Sequence, residues 1–182
     1  MTDDALITSF NNGDQGAFSQ LVDRYKLDIF NYMFTRTSDR ELSSDLSQDV
    51  FVRIYQNAKR YQAKGKFRAW LFQIARNIYI DAVRKRNKAS IVSIEEKNLY
   101  EIEDTSEIPS HRYELKEMSD LVSAVLAELP DEQRTAFELC QFHGLRYSEI
   151  ASIMHCPVGT VKSRIHSALS KVRDAFVENE IL

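Results

Sequence analysis

Lys162, Ser163, His166 and Ser167 share one side of the stretch PVGTVKSRIHSAL (157–169), and no acid accompanies them. Small hydroxyls and basic groups in that pattern are hydrogen-bond donors suited to a polyanion. Lysine bonds guanine acceptors or phosphate, and the short side chains of Thr160 and Ser163 permit close approach. Val158, Val161, Ile165, Ala168 and Leu169 fall on the opposite side at three- and four-residue steps, so the stretch predicts an amphipathic helix.

A second set lies upstream. The segment KGKFRAWLFQIARNIYIDAVRKRNK (64–88) interleaves basic side chains with Phe67, Trp70, Phe72 and Tyr79. Aromatic faces beside Arg and Lys suit the unstacked bases of a single strand. Trp70 groups with Leu71 and Ile74 and is expected in a core, whereas Tyr61 and Tyr79 are expected on an open surface. Asp81 is expected to pair with Arg84, for a gain of roughly a few tenths of a kcal/mol.

Other chemistries find little support. Cys140-x-x-His143 with His155–Cys156 has the residue types of a zinc site, but the second pair falls in a predicted helix–helix turn and serves the turn itself. His111 stands alone and is expected in solvent. No glycine loop for phosphate and no carboxylate cluster for acid–base work occurs. The expectation is a protein that binds rather than catalyses, without metal or cofactor. Cys140 and Cys156 make no disulfide framework; they are expected as packed thiols in a reducing cytoplasm. The opening MTDDALITSF lacks the basic and apolar regions of a secretory signal, and no apolar run is long enough for membrane insertion.

The net charge of −3 conceals strong segregation. Residues 59–88 hold ten bases and one acid, Asp81; residues 90–110 hold six acids and one base, Lys97; residues 157–173 hold four bases and no acid. Two basic zones flanking an acidic one predict two contacts with a polyanion.

These side chains must be positioned by helices. Ala17, Phe18, Leu21, Val22, Tyr25, Ile29 and Met33 form one apolar stripe, and Leu42, Leu46, Val50, Phe51 and Ile54 another. Thr37–Ser38–Asp39 offers an N-cap between them. QAKGK (62–66) reads as a loop leading into a long helix from Phe67 to Arg86. Residues 89–112 lose periodicity and read as a flexible acidic linker. Leu115 to Leu129 resumes the helical period up to Pro130, and Asp131 to Phe142, Tyr147 to Met154 and the stretch after Pro157 follow. The fold class is all-α: two small helical domains, 1–88 and 113–182, the second containing a helix-turn-helix.

On these residues the chain resembles the extracytoplasmic-function (ECF) sigma factors of bacterial RNA polymerase, in the sigma-70 family. The likeness rests on GDQGAFSQLVDRY (13–25), LSQDVFVRIYQNAKRY (46–61) and FRAWLFQIARNIYIDAVRK (67–85), then LPDEQRTAFEL (129–139), YSEIASIM (147–154) and PVGTVKSRIHSAL, in that order across the linker. The resemblance implies a region 2-like domain over 1–88 that docks on core polymerase and melts the minus-ten element, and a region 4-like domain over 113–182 that reads the minus-thirty-five element. It implies polymerase contact through Asp45, Gln48, Asp49 and Arg53 against the β′ clamp helices, with the second domain on the β flap. Single-strand contacts would come from Tyr61, Lys64, Lys66, Arg76, Asn77, Arg84 and Arg86, with Tyr61 and Asn77 receiving a flipped base. Duplex contacts would come from Thr160, Lys162, Ser163, Arg164, His166 and Ser167. An anti-sigma factor is the implied regulator.

Departures from the family pattern carry expectations of their own. Many relatives have Ser at the position of Arg146, completing a capping box with Glu149; its absence is expected to cost about 1 kcal/mol unless Ser148 substitutes. Relatives often have Arg at the positions of Ser167 and Ser170, and some at that of Cys140, which implies fewer phosphate contacts and a different or weaker minus-thirty-five preference. The rival reading is a stand-alone regulator, which needs a sensing module with strands in residues 1–88; no strand pattern appears there.

Overall fold

The computed structural model describes residues 1–90, 121–122 and 124–178. The acidic linker from residue 91 onward, His111 and the expected start of the second domain at 113 lie outside the described residues. Every regular element among them is helical: α1 (Asp3–Asn11), α2 (Gln15–Thr37), α3 (Arg40–Asn57), a 3-10 turn (Ala58–Arg60), α4 (Phe67–Ser90), a helical stretch over 124–128, α5 (Asp131–Gln141), α6 (Tyr147–Met154) and α7 (Val158–Glu178). The helix expected to end at Arg86 continues through Ser90, because residues 87–90 contain no Gly or Pro.

Short polar side chains start the helices. Thr2 caps α1 by accepting from the Ala5 N–H, Asp14 caps α2, and Asp39 caps α3 at 3.0 Å from the Leu42 nitrogen. Ser38 closes α2 in the left-handed conformation, which makes the sharp break before α3.

The first body packs the predicted stripes inward. Leu21, Ile29 and Met33 of α2 meet Val50 and Ile54 of α3 and Leu71 and Phe72 of α4, each at most 1% exposed. In the second body Leu126, Leu129, Phe137 and Ala168 form a small cluster. The remaining buried side chains of that body, among them Leu139, Ile150, Val161 and Ile165, are continuous with the core of the first. The two bodies are therefore docked, with α6 lying along α4.

Candidate nucleic-acid interface

His155 ends α6 in the left-handed conformation at φ 51°, and Pro157 stands immediately before α7, where its lack of an N–H costs nothing. Val161, Ile165 and Ala168 are at most 2% exposed and lock α7 onto α5 and α6. That packing turns Lys162, Ser163 and His166 fully outward, with Thr160 and Ser167 half-exposed at the edges of the face. Ser163 Oγ donates to the Thr160 carbonyl at 2.9 Å, which leaves its lone pairs available outward. Arg164 points the other way: its Nη1 lies 2.9 Å from Glu132 Oε2 and 3.4 Å from Cys156 Sγ. At the start of α6 only the Glu149 half of the box forms, accepting from the Arg146 N–H at 2.8 Å; Arg146 offers no acceptor, and Ser148 does not replace it.

The loop at 61–66 departs from expectation. Tyr61 is not an open platform. Its ring packs against Trp70 at 4.9 Å between centroids, tilted by 31°, and its hydroxyl donates to Asp4 Oδ1 at 2.7 Å. Burial, then the Asp4 bond, holds its phenol well above the ordinary range. Tyr79 is also half-buried, its ring facing the Arg36 guanidinium. The alternation of aromatic and basic residues points both tyrosines outward, but the α1 side covers Tyr61 and the second body covers Tyr79.

Lys64 and Lys66 are exposed on the loop. Asn77 is exposed at the mouth of a cleft of about 270 Å³, shared with Arg53, Asn57, Arg60 and Trp70. The sequence reading missed Asn57, Arg60 and Trp70 as cleft residues. Their signal was the polar break at NAKRY (57–61), where a 3-10 turn swings Asn57 and Arg60 toward α4. Arg84 is exposed and 3.9 Å from Asp81, as expected, and Arg86 is exposed near the end of α4. Arg76 does not face the cleft: it is half-buried, with Nη2 3.0 Å from Glu132 Oε1.

Glu132 thus holds Arg76 of the first body and Arg164 of the second with its two oxygens. Beside it, Arg36 and Glu138 form a fully buried pair, joined by Arg134 at 2.9 Å from the second Glu138 oxygen. His143 inserts against Phe72 at 4.4 Å and edge-on to Tyr32 at 5.8 Å. Burial, reinforced by Arg68 and Arg36, pushes its imidazole down to about 4, so it is neutral at pH 7.

Residues 21–89 match the family "Sigma-70 region 2" and residues 119–172 match "Sigma-70, region 4". The ECF RNA polymerase sigma factor SigW of Bacillus subtilis is 32% identical over 92% of this chain and 92% of its own. The ECF RNA polymerase sigma-E factor of Haemophilus influenzae is 31% identical over 100% of this chain and 96% of its own. The chain belongs to the ECF RNA polymerase sigma factors. Among solved structures, CnrH in complex with the cytosolic domain of CnrY shares the fold at TM-score 0.71, with 24% identity and 97% of both chains covered. RpoE in complex with the anti-sigma factor NepR from Bartonella quintana does so at TM-score 0.69, with 22% identity over 87% of this chain and 96% of that one.

As a sigma factor, the chain binds core RNA polymerase and directs it to promoter DNA. Asp45, Gln48, Asp49 and Arg53 all lie exposed on one face of α3. The same face carries Val52, 52% exposed, which the sequence reading missed by attending only to polar residues. Asp49, Val52 and Arg53 also line a groove of about 830 Å³ whose far wall is Ile78, Ala82 and Lys85 of α4. Among the described residues no group of His, Cys, Asp and Glu is placed to hold a metal ion, and no helix is long and apolar enough to cross a membrane. Cys140 and Cys156 are half-buried free thiols packed against the core.

Proposed function

We propose that the two bodies of this sigma factor divide promoter reading between them. The outward face of α7, with Lys162, Ser163 and His166 over the buried Val161 and Ile165, enters the major groove of the minus-thirty-five element. Thr160 and Ser167 flank that contact. The loop with Lys64 and Lys66 guides the minus-ten strand, and the cleft between Trp70 and Asn77 receives one unstacked base. Flipping a base costs a few kcal/mol, which stacking on Trp70 and edge hydrogen bonds from Asn77 offset. Arg84 and Arg86 extend the basic track along α4. The α3 face around Asp49, Val52 and Arg53 docks on the β′ clamp helices, and the second body on the β flap.

The observation that carries this reading is the placement of Asn77, an amide free to read a base edge, in a cleft lined also by the Trp70 ring, Arg53 and Arg60. The protein acts by binding and not as an enzyme, and it works in the cytoplasm. Control by an anti-sigma protein follows the two solved relatives, each named with a bound partner: the cytosolic domain of CnrY and the anti-sigma factor NepR.

The two elements are named about 25 base pairs apart, or roughly 85 Å of duplex. Two docked bodies cannot reach both. The 22 residues from 91 to 112, the part of the expected linker beyond α4, can span at most about 80 Å, and with the breadth of the bodies themselves that is enough for the two to part. In this reading the docked arrangement is the free protein, and polymerase holds the bodies apart in register, giving avidity for the promoter.

Transcription by core polymerase reconstituted with variants tests the assignment. Lys162→Ala is expected to weaken use of the cognate minus-thirty-five element with polymerase affinity unchanged; unaltered transcription would refute the duplex assignment. Asn77→Ala is expected to slow strand opening more than it weakens polymerase binding, and equal losses in both would refute base capture.

A further inference from the structure

Helix α1 lies outside the basic segments, yet it grips the loop at 61–66 from both ends. Asn11 Nδ2 donates to the Ala58 carbonyl at 3.1 Å, just before the loop. Asp4, in the first turn, accepts from the Tyr61 hydroxyl with Oδ1 and from the Gly65 N–H with Oδ2. The Tyr61 oxygen in turn accepts from the Lys66 N–H at 3.2 Å. One carboxylate and one hydroxyl therefore fix residues 61, 65 and 66 of a loop whose residues 62–66 are otherwise exposed. Gly65 completes the geometry in the left-handed region at φ +68°, which aims its N–H at Asp4.

As an acid in the first turn of α1, Asp4 favours the helix start, but that role needs no bond to residues 61 and 65. Thr2 is the cap of α1, and the neighbouring Asp3 serves packing between α1 and α2 by binding Arg24 and Tyr25. Tyr61, held by its hydroxyl, presses its ring on Trp70, the aromatic wall of the cleft. We propose that Asp4 is a positioning residue for promoter opening, holding the 61–66 loop and the Tyr61–Trp70 ring contact in the shape that receives the unpaired base. The proposal rests on the reading of that cleft as the base receiver.

Electrostatics makes the sign of the test informative. An acid beside Lys64 and Lys66 repels phosphate, so on charge alone its removal should tighten binding to DNA. A positioning role requires the opposite at the opening step. Asp4→Ala and Asp4→Asn delete the same charge, but Asp4→Asn keeps one oxygen for the Tyr61 hydroxyl. Tyr61→Phe keeps the ring and deletes the hydroxyl.

The experiment is permanganate footprinting of opening by the reconstituted full-length protein with core polymerase. It uses a cognate promoter and the same promoter with single-base changes across the minus-ten element. Asp4→Ala is expected to lower opening on the cognate promoter roughly tenfold, the scale of losing hydrogen bonds to a charged group. The ratio between cognate and altered promoters should fall toward one, with helix content and polymerase affinity kept. Asp4→Asn should fall between it and wild type, Tyr61→Phe should lower opening in the same direction, and the double variant should lose less than the two single losses combined, because they share the Asp4–Tyr61 bond. Opening by Asp4→Ala and Tyr61→Phe equal to or better than wild type, or an equal loss on every promoter with the ratio preserved, would overturn the proposal. Asn77→Ala run in parallel separates the two levels. If it is impaired while Asp4→Ala is not, the positioning role alone fails; if it opens normally with discrimination intact, the cleft reading fails and takes the proposal with it.

Discussion

Arg36 and Glu138, 102 positions apart in sequence, meet as an ion pair at 2.5 Å with each side chain 1% exposed. The arginine comes from the last turn of α2 and the glutamate from the last turn of α5, so the pair joins the two bodies. The glutamate end is well bonded, with Arg134 on its second oxygen; at the arginine end the Tyr32 ring lies 4.2 Å under the guanidinium and Asp131 stands 3.5 Å from Nη1, while Nε and Nη1 make no hydrogen bond.

Breaking one side of that pair leaves a buried charge without its partner. Glu138→Gln is expected to weaken docking of the two bodies by about 3–5 kcal/mol. Energy transfer between labels on α2 and α7 reads this directly: it should fall in the variant while helix content is kept. Unchanged transfer would show that apolar contacts alone hold the bodies together.

Glu132 is the more exposed partner, 44% by side chain, and its stabilising effect is correspondingly small, below about 1 kcal/mol. Its effect on DNA should be larger. Glu132→Gln frees Arg76 and Arg164, and the slope of log K against log salt for nonspecific duplex should steepen by up to about two phosphate contacts. A filter-binding titration at several salt concentrations measures it. An unchanged slope would mean that neither arginine reaches phosphate once released.

His143 supplies a pH dependence. Its folded value of about 4 lies below the ordinary 6.5, because burial and the nearby Arg68 and Arg36 oppose the charged ring. The unfolded or undocked chain therefore binds the extra proton between those limits. The contribution of His143 is complete above pH 6.5, falls as pH drops, and is lost by about pH 4, a total of about 3 kcal/mol. Urea denaturation followed from pH 7.5 to 4.5 should show this slope, and His143→Phe, which fits beside Phe72, should flatten it.

Periodicity located what local pattern controls. Val161 and Ile165 recur four residues apart, and that spacing alone aimed Lys162 and His166 outward. Asp39 marked a helix start by its chemistry. What local pattern could not carry were the long-range partners. Tyr61 reads as an exposed aromatic because Asp4, which binds it, lies 57 positions away. Arg76 and Arg164 read as phosphate contacts because the acid between them belongs to a third helix. One clue was present: Glu138 interrupts Thr135–Ala136–Phe137–Leu139, a run buried throughout, and an acid in such a place requires a cation from elsewhere.

The central claim is that two docked bodies must part to read one promoter. Labels at Gln20 on α2 and Lys171 on α7, both exposed, give the distance between bodies. High transfer is expected for the free protein, and its loss is expected on core polymerase with the cognate promoter, as the bodies separate by tens of ångströms along roughly 85 Å of DNA. High transfer that persists in a complex initiating RNA at the cognate start site would contradict the account.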